Sequence, residues 1–111
     1  MLTHSVERWP ILGSFAISRG TKTEAVVVLA EVTDGKMRGR GECVPYARYG
    51  ETIESVTAAL EGMRAQLQQG LDRSALQKAM PPGAARNALD CAFWDLEARR
   101  NGRRVHELAG L

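Results

Sequence analysis

Proton transfer, phosphoryl transfer and metal chemistry each need particular side chains at particular spacings, and this chain holds few of them. Its lysines, Lys22, Lys36 and Lys78, stand too far apart in sequence to read as a close pair of bases, and no carboxylate cluster emerges. Asp90 and Asp95 share a helical segment but lie about 140° apart around its axis, so they do not face one site. Arg86 with Asp90, and Asp95 with Arg99, have instead the i, i+4 spacing of stabilising ion pairs. His4 and His106 are solitary, which favours surface or structural roles. His106-Glu107 begins like a zinc-protease helix, but Gly110 stands where a second histidine ligand is needed. Gly39-Arg40-Gly41-Glu42 lacks the third glycine and the helix start of a dinucleotide fingerprint, and no Walker motif is present. Cys43 and Cys91 form no Cys-x-x-Cys pair and fit neither a zinc site nor a thioredoxin-like motif.

Two segments are chemically richer. One is Phe15-Ala16-Ile17-Ser18-Arg19-Gly20-Thr21-Lys22-Thr23-Glu24; the other is Gly41-Glu42-Cys43-Val44-Pro45-Tyr46-Ala47-Arg48-Tyr49-Gly50-Glu51-Thr52. Each mixes aromatic, cationic and hydroxyl groups at the end of a strand, which suits a binding lid and equally describes an ordinary surface loop. Arg19 and Glu24 are close enough in sequence to pair at the base of the first loop, with Phe15 and Ile17 as anchors.

The elements that must position these loops follow from periodicity. Ala25-Val26-Val27-Val28-Leu29-Ala30 is a β-branched run that predicts a strand over Glu24 to Thr33, buried on both faces or nearly so. Asp34-Gly35 is a hairpin signal, both positions of such a turn needing positive φ. The return strand, Lys36 to Glu42, alternates charged residues with Met or Gly. One face is therefore solvated, and the glycines let something pack close against the other. Thr3 to Trp9 predicts a further antiparallel strand, and Pro10 to Thr23, rich in Gly, Ser and Thr, reads as a loop.

From residue 50 the period changes. Ile53, Val56, Leu60, Met63 and Leu67 give one helical stripe, opened by Gly50 and Thr52 and closed by Gly70. Asp72 is an N-cap for a short helix reaching about Met80, and Pro81-Pro82-Gly83 breaks the chain. A third helix carries Ala85, Ala88, Leu89, Ala92, Phe93 and Leu96 on one face and stops at Asn101-Gly102. The expected fold is α+β: a three-stranded antiparallel meander over about 2–44, then about three helices over about 52–101, in a single domain spanning 1–111.

Composition agrees with a globular domain: 111 residues, 44% hydrophobic, 25% charged, net charge +2. A (β/α)8 barrel needs about 250 residues and cannot lie within this chain. Arg99-Arg100-Asn101-Gly102-Arg103-Arg104 suits the negative end of a helix dipole and has no interleaved aromatic residue, which argues against nucleic acid as a partner. No apolar run approaches the roughly 18 residues of a membrane span. Two unpaired thiols and a polar, acidic N-terminus predict a cytoplasmic location.

Ala84-Ala85-Arg86-Asn87-Ala88-Leu89-Asp90-Cys91-Ala92-Phe93-Trp94-Asp95-Leu96 resembles the signature helix of the N-terminal capping domain in the enolase superfamily, muconate-lactonizing subgroup. Within it, Ile17 to Glu24 and Gly41 to Glu51 resemble the loops of dipeptide epimerases, notably the L-Ala-D/L-Glu type. The resemblance runs roughly from Val6 to Leu111, and its strand-then-helix order agrees with the order read independently above.

The resemblance implies a division of labour. The family's capping domain closes over a barrel that binds Mg²⁺ through three acidic residues and carries two lysine bases. One base removes the substrate α-proton, the metal stabilises the enolate, and the other base returns a proton from the opposite face. The chain reaches His106-Glu107-Leu108-Ala109-Gly110-Leu111 where such proteins are about to enter the barrel. By this resemblance the chain holds no catalytic residue and no cofactor of its own, and the barrel, with its Mg²⁺, is the missing partner. The chain alone is expected to be catalytically inactive, and its role is substrate selection. Arg19, Thr21 and Lys22 from the first loop, with Tyr46, Arg48 and Tyr49 from the second, would form a lid over a small acidic dipeptide such as Ala-Glu. Lys22 is the cation for a substrate carboxylate, and Tyr46 or Tyr49 shapes the pocket and excludes water. Caps of cycloisomerases and o-succinylbenzoate synthases share the helix motif, so only the loops separate them. A non-catalytic binding or assembly module is the other alternative. The wide apolar face of the third helix, Trp94 included, predicts uncovered surface and hence homo-oligomers.

Overall fold

A computed structural model describes the backbone of residues 1–17 and 20–110, and the side chains of residues 1–9 and 25–110. Three strands, β1 (Leu2–Ile17), β2 (Gly20–Asp34) and β3 (Met37–Cys43), form one antiparallel sheet in the order β1-β2-β3. Helices follow: α1 (Ile53–Glu61), α2 (Arg64–Gln68), α3 (Arg73–Ala79), α4 (Ala84–Asn101) and α5 (Val105–Leu108). A meander followed by helices is the α+β arrangement expected.

The helices are capped as the sequence indicates. Thr52 and Ser55 exchange hydrogen bonds at the start of α1, each 2.9 Å. Asp72 accepts the Ala75 N–H at 2.8 Å and starts α3. Gly102, in the left-handed region at φ 62°, ends α4.

Four expectations need correction. The described residues of Pro10 to Thr23 are strand and not loop: Phe15, Ala16 and Ile17 pair with Lys22, Thr21 and Gly20, so the ladder continues after an irregularity between Pro10 and Phe15. The physical reason is that β1 lies at the sheet edge, where a proline is tolerated in a strand. The β2–β3 connection is Gly35-Lys36, one residue later than Asp34-Gly35, because Asp34 pairs with Met37. Only Gly35 takes positive φ, at 62°. The stripe from Ile53 to Leu67 spans two helices, because Gly62, a poor helix former, lies in a tightened turn with Met63 N–H donating to the Leu60 carbonyl. Yet Val56, Leu60, Met63 and Leu67 all remain buried. The last is α5, a single turn too short for periodicity to reveal, which makes the helix count larger than three.

The core lies between the sheet and α4. Val28, Ala30 and Val32 of β2 pack with Ala88, Leu89, Ala92 and Leu96. On β3, Gly39, Gly41 and Cys43 are buried while Arg38, Arg40 and Glu42 are exposed, the alternation the sequence predicts. The close approach is extreme. A Cβ on Gly41 would stand 2.0 Å from the Ala88 carbonyl oxygen, and one on Gly39 would stand 2.1 Å from that of Ala92.

The apolar face of α4 is not left over. Ala85, Ala88, Leu89, Ala92, Phe93 and Leu96 are all buried. Trp94 is half-buried, with the Arg73 guanidinium 3.6 Å from its ring centroid. Arg73 also pairs with Glu97 at 2.8 Å, fixing α3 on α4. The uncovered helix face on which self-association was expected is therefore absent.

Candidate functional site

The second loop begins where β3 ends. After Cys43 the chain turns through Val44 and Pro45 into a single 3-10 turn, Ala47–Tyr49, closed by Gly50 at φ 74°. Glu51 and the α1 cap Thr52 follow directly. The loop is thus held between a strand buried against α4 and a capped helix. Its polar backbone is satisfied internally: Tyr49 and Glu51 N–H groups donate to the Tyr46 carbonyl at 3.0 and 3.2 Å, and Gly50 N–H donates to that of Ala47 at 2.9 Å.

The structure brings Tyr46, Arg48 and Tyr49 together in this turn. The two tyrosine rings meet edge-to-face, centroids 5.1 Å apart and planes at 65°. Tyr49 is 75% exposed, so the pair presents apolar surface outward, and Arg48 stands exposed between them in sequence. Of the first loop, Thr21 and Lys22 have described backbones in β2, opposite Ala16 and Phe15, while their side chains lie outside the described residues. Arg19 lies outside the described residues altogether, and so does the expected Arg19–Glu24 pair.

A cleft of about 540 Å³ opens between this loop and the start of α4, lined by Cys43, Val44, Tyr46, Tyr49, Glu51, Pro82, Gly83, Ala84 and Asn87. Burial, followed by the nearby Glu51, Cys91 and Glu42, pushes the Cys43 thiol up to about 11. It is therefore protonated near neutral pH and is no nucleophile. Cys91 is exposed, and its thiol is also pushed up, by desolvation and then by Asp90. Such a cleft offers aromatic contact and hydrogen bonds, with no base pair or nucleophile, and it is suited to binding. Among the described residues no three His, Cys, Asp or Glu side chains group together as a metal site.

Sequence reasoning missed Glu51. Its Oε1 accepts the Tyr46 N–H at 3.0 Å and its Oε2 accepts the Ala84 N–H at 2.8 Å. A signal was present: Pro82-Gly83-Ala84 opens α4 without a capping side chain, so its N–H groups had to find an acceptor elsewhere. Of the two ion pairs expected on α4, Asp95 and Arg99 pair at 3.2 Å. Asp90 instead accepts from Gln77 at 3.0 Å, while Arg86 donates to the Gln77 and Met80 carbonyls, both at 3.4 Å.

Comparison with known proteins places this geometry. Residues 2–110 match the family model for the N-terminal domain of mandelate racemase and muconate lactonizing enzyme. The chain is 50% identical over 105 residues to the L-Ala-D/L-Glu epimerase of Escherichia coli (strain K12), covering 95% of this chain and 33% of that protein. It is 38% identical over 84 residues to the N-acetyl-D-glutamate racemase of a Pseudoalteromonas species, covering 74% of this chain and 27% of the relative. An enolase family member from Agrobacterium tumefaciens, with homology to dipeptide epimerases and solved with sodium and L-Ala-L-Glu, superposes with a TM-score of 0.92. It is 53% identical and matches 99% of this chain and 34% of its own. The chain spans between about a quarter and a third of the length of these relatives. With its meander and its helical layer, it belongs to the mandelate racemase / muconate lactonizing enzyme N-terminal domain family.

Proposed function

We propose that residues 1–111 act as a single capping domain that selects the substrate of a dipeptide epimerase, with the catalytic groups and Mg²⁺ supplied by a barrel outside these residues. The chain alone then performs no proton transfer. The observation that carries the reading is the 50% identity to an L-Ala-D/L-Glu epimerase across 95% of the chain, both loops lying within its length. The substrate class follows from chemistry common to two relatives. An Ala-Glu dipeptide and N-acetyl-glutamate are both glutamates whose nitrogen is acylated. Such a molecule carries an acidic side chain beside an uncharged amide, and it calls for a cation and an apolar wall. Arg19, Thr21 and Lys22 supply the cationic, hydroxyl-bearing side. Tyr46, Arg48 and Tyr49 supply the aromatic side, anchored as described. Proton exchange at the α-carbon needs water kept out, and the exposed tyrosines supply surface for closing the site. We place the protein in the cytoplasm on its unpaired thiols; no helix among the described residues is long and apolar enough to cross a membrane.

The test uses the chain joined to its barrel. Lys22→Ala should lower kcat/KM for acidic dipeptides by about 10- to 100-fold, the range of a charged hydrogen bond in a closed site, and lower it much less for neutral ones. Equal losses for both substrate classes would show that Lys22 supports the loop and does not read the substrate.

A further inference from the structure

We infer that Glu51 is the positioning residue of the second loop: its carboxylate accepts the Tyr46 and Ala84 N–H groups at once and so sets where the tyrosine turn stands on α4. Its consequence for substrate selection rests on the lid reading above; the clamp itself rests on geometry. The two donors are 38 residues apart by number, 46 against 84, and among the described residues no other side chain joins them. A carboxylate has an acceptor oxygen for each. Gln offers one acceptor oxygen, and Asp is a methylene too short to keep the same reach.

The first turn of α4 makes the clamp necessary. α1 and α3 carry their own capping side chains, Thr52 and Asp72. α4, the 18-residue helix at the centre of the fold, begins at Gly83 with no side-chain cap and no acidic residue in its first turn. Its free N–H groups and the positive end of its dipole favour a carboxylate, and Glu51 brings one from across the cleft. The local chain is shaped for this. Gly50, at φ 74°, reverses the backbone before Glu51. At Gly83 a Cβ would already stand 3.1 Å from Oε2, so the absence of a side chain leaves the carboxylate its place. Glu51 also donates its own N–H to the Tyr46 carbonyl, so residues 46 and 51 are tied in both directions.

The test is made on the 111-residue chain by NMR. Tyr46 and Tyr49 are its only tyrosines, so tyrosine ring signals report on this turn and on nothing else. In Glu51→Ala, amide exchange at Tyr46 and Ala84 should quicken by about tenfold or more, the loss expected for a charge-assisted hydrogen bond. The tyrosine ring signals should move toward free values, while Leu89 and Leu96 in the middle of α4 keep their protection. Glu51→Gln should retain protection at one of the two amides and release the other. Unchanged exchange at both amides in either variant overturns the inference. So does uniform loss of protection along α4 in Glu51→Gln, which would make Glu51 a source of stability and no positioner. If Glu51→Ala does not fold, the Gln variant decides. Failure of the lid reading looks different: Tyr46→Ala and Tyr49→Ala would leave dipeptide selection by the barrel-bearing protein unchanged while the Glu51 clamp stayed intact.

Discussion

Single residues in this fold do their work by joining segments distant in sequence, and Glu61 is the clearest case for pH. Its carboxylate accepts from Arg64 and lies 3.1 Å from His4 Nε2, while Arg64 also donates to the Leu2 carbonyl. One cluster thus pins the start of β1 to the junction of α1 and α2. The Arg64 hydrogen bond, then that of His4, pulls the Glu61 carboxyl from 4.5 to about 2. A depressed carboxyl stabilises the fold fully above its unfolded value, and that contribution is lost as pH falls from about 4.5 through about 2. Urea midpoints measured from pH 6 to pH 2 should therefore fall less steeply in Glu61→Gln than in the parent. Parallel slopes would show that the cluster is not coupled to folding. None of this was legible in the sequence. His4 read as solitary, and only the fold brings Glu61 to it.

At the scale of elements, the contact between β3 and α4 decides whether the layers meet. Gly41→Ala drives a Cβ to 2.0 Å from the Ala88 carbonyl oxygen, a backbone atom of a buried helix that cannot swing away. We expect a loss of about 1–3 kcal/mol in a denaturant melt, the usual cost of overpacking a core. Gly62→Ala gives the opposite sign. Gly62 sits at φ −62° with only 3.4 and 3.5 Å contacts to a new Cβ, so alanine there should stabilise by up to about 1 kcal/mol. If both variants lose stability equally, the β3–α4 approach is not what limits packing. This layer was legible beforehand: alternation on Lys36 to Glu42 placed the glycines on one face, and that face lies under α4. Lost to the sequence were the ladder beyond Pro10, which strand pairing fixes, the break at Gly62 inside a continuous apolar stripe, and the single turn of α5. Within the candidate site, the aromatic and cationic residues of the second loop were visible by type. Their anchor was not, because nothing local marks Glu51 as the acceptor for a helix that begins at residue 84.

The whole molecule extends 42 × 28 × 25 Å, and its exposed apolar groups are unevenly placed. The α4 face on which association was expected is covered, whereas Val44, Tyr46 and Tyr49, at 55%, 49% and 75% exposure, form one outward patch on the second loop. Self-association of the chain by itself should therefore involve this patch. Sedimentation over a hundredfold concentration range should show a species that grows with concentration and shifts toward monomer in Tyr49→Ser, while Val105→Ser, on α5, leaves it unchanged. A monomer throughout would mean that the patch is too small to hold a second copy. Stray strands, as distinct from folded copies, seek sheet edges. On β3 that invitation is withdrawn: Asp95 Oδ2 has already taken the Arg40 N–H at 2.8 Å, midway along the strand, and Arg99 holds the same carboxylate in place. An incoming chain zipping along β3 would have to break a charge-assisted bond before it could complete its register, so one side chain of the central helix opposes strand addition on this side.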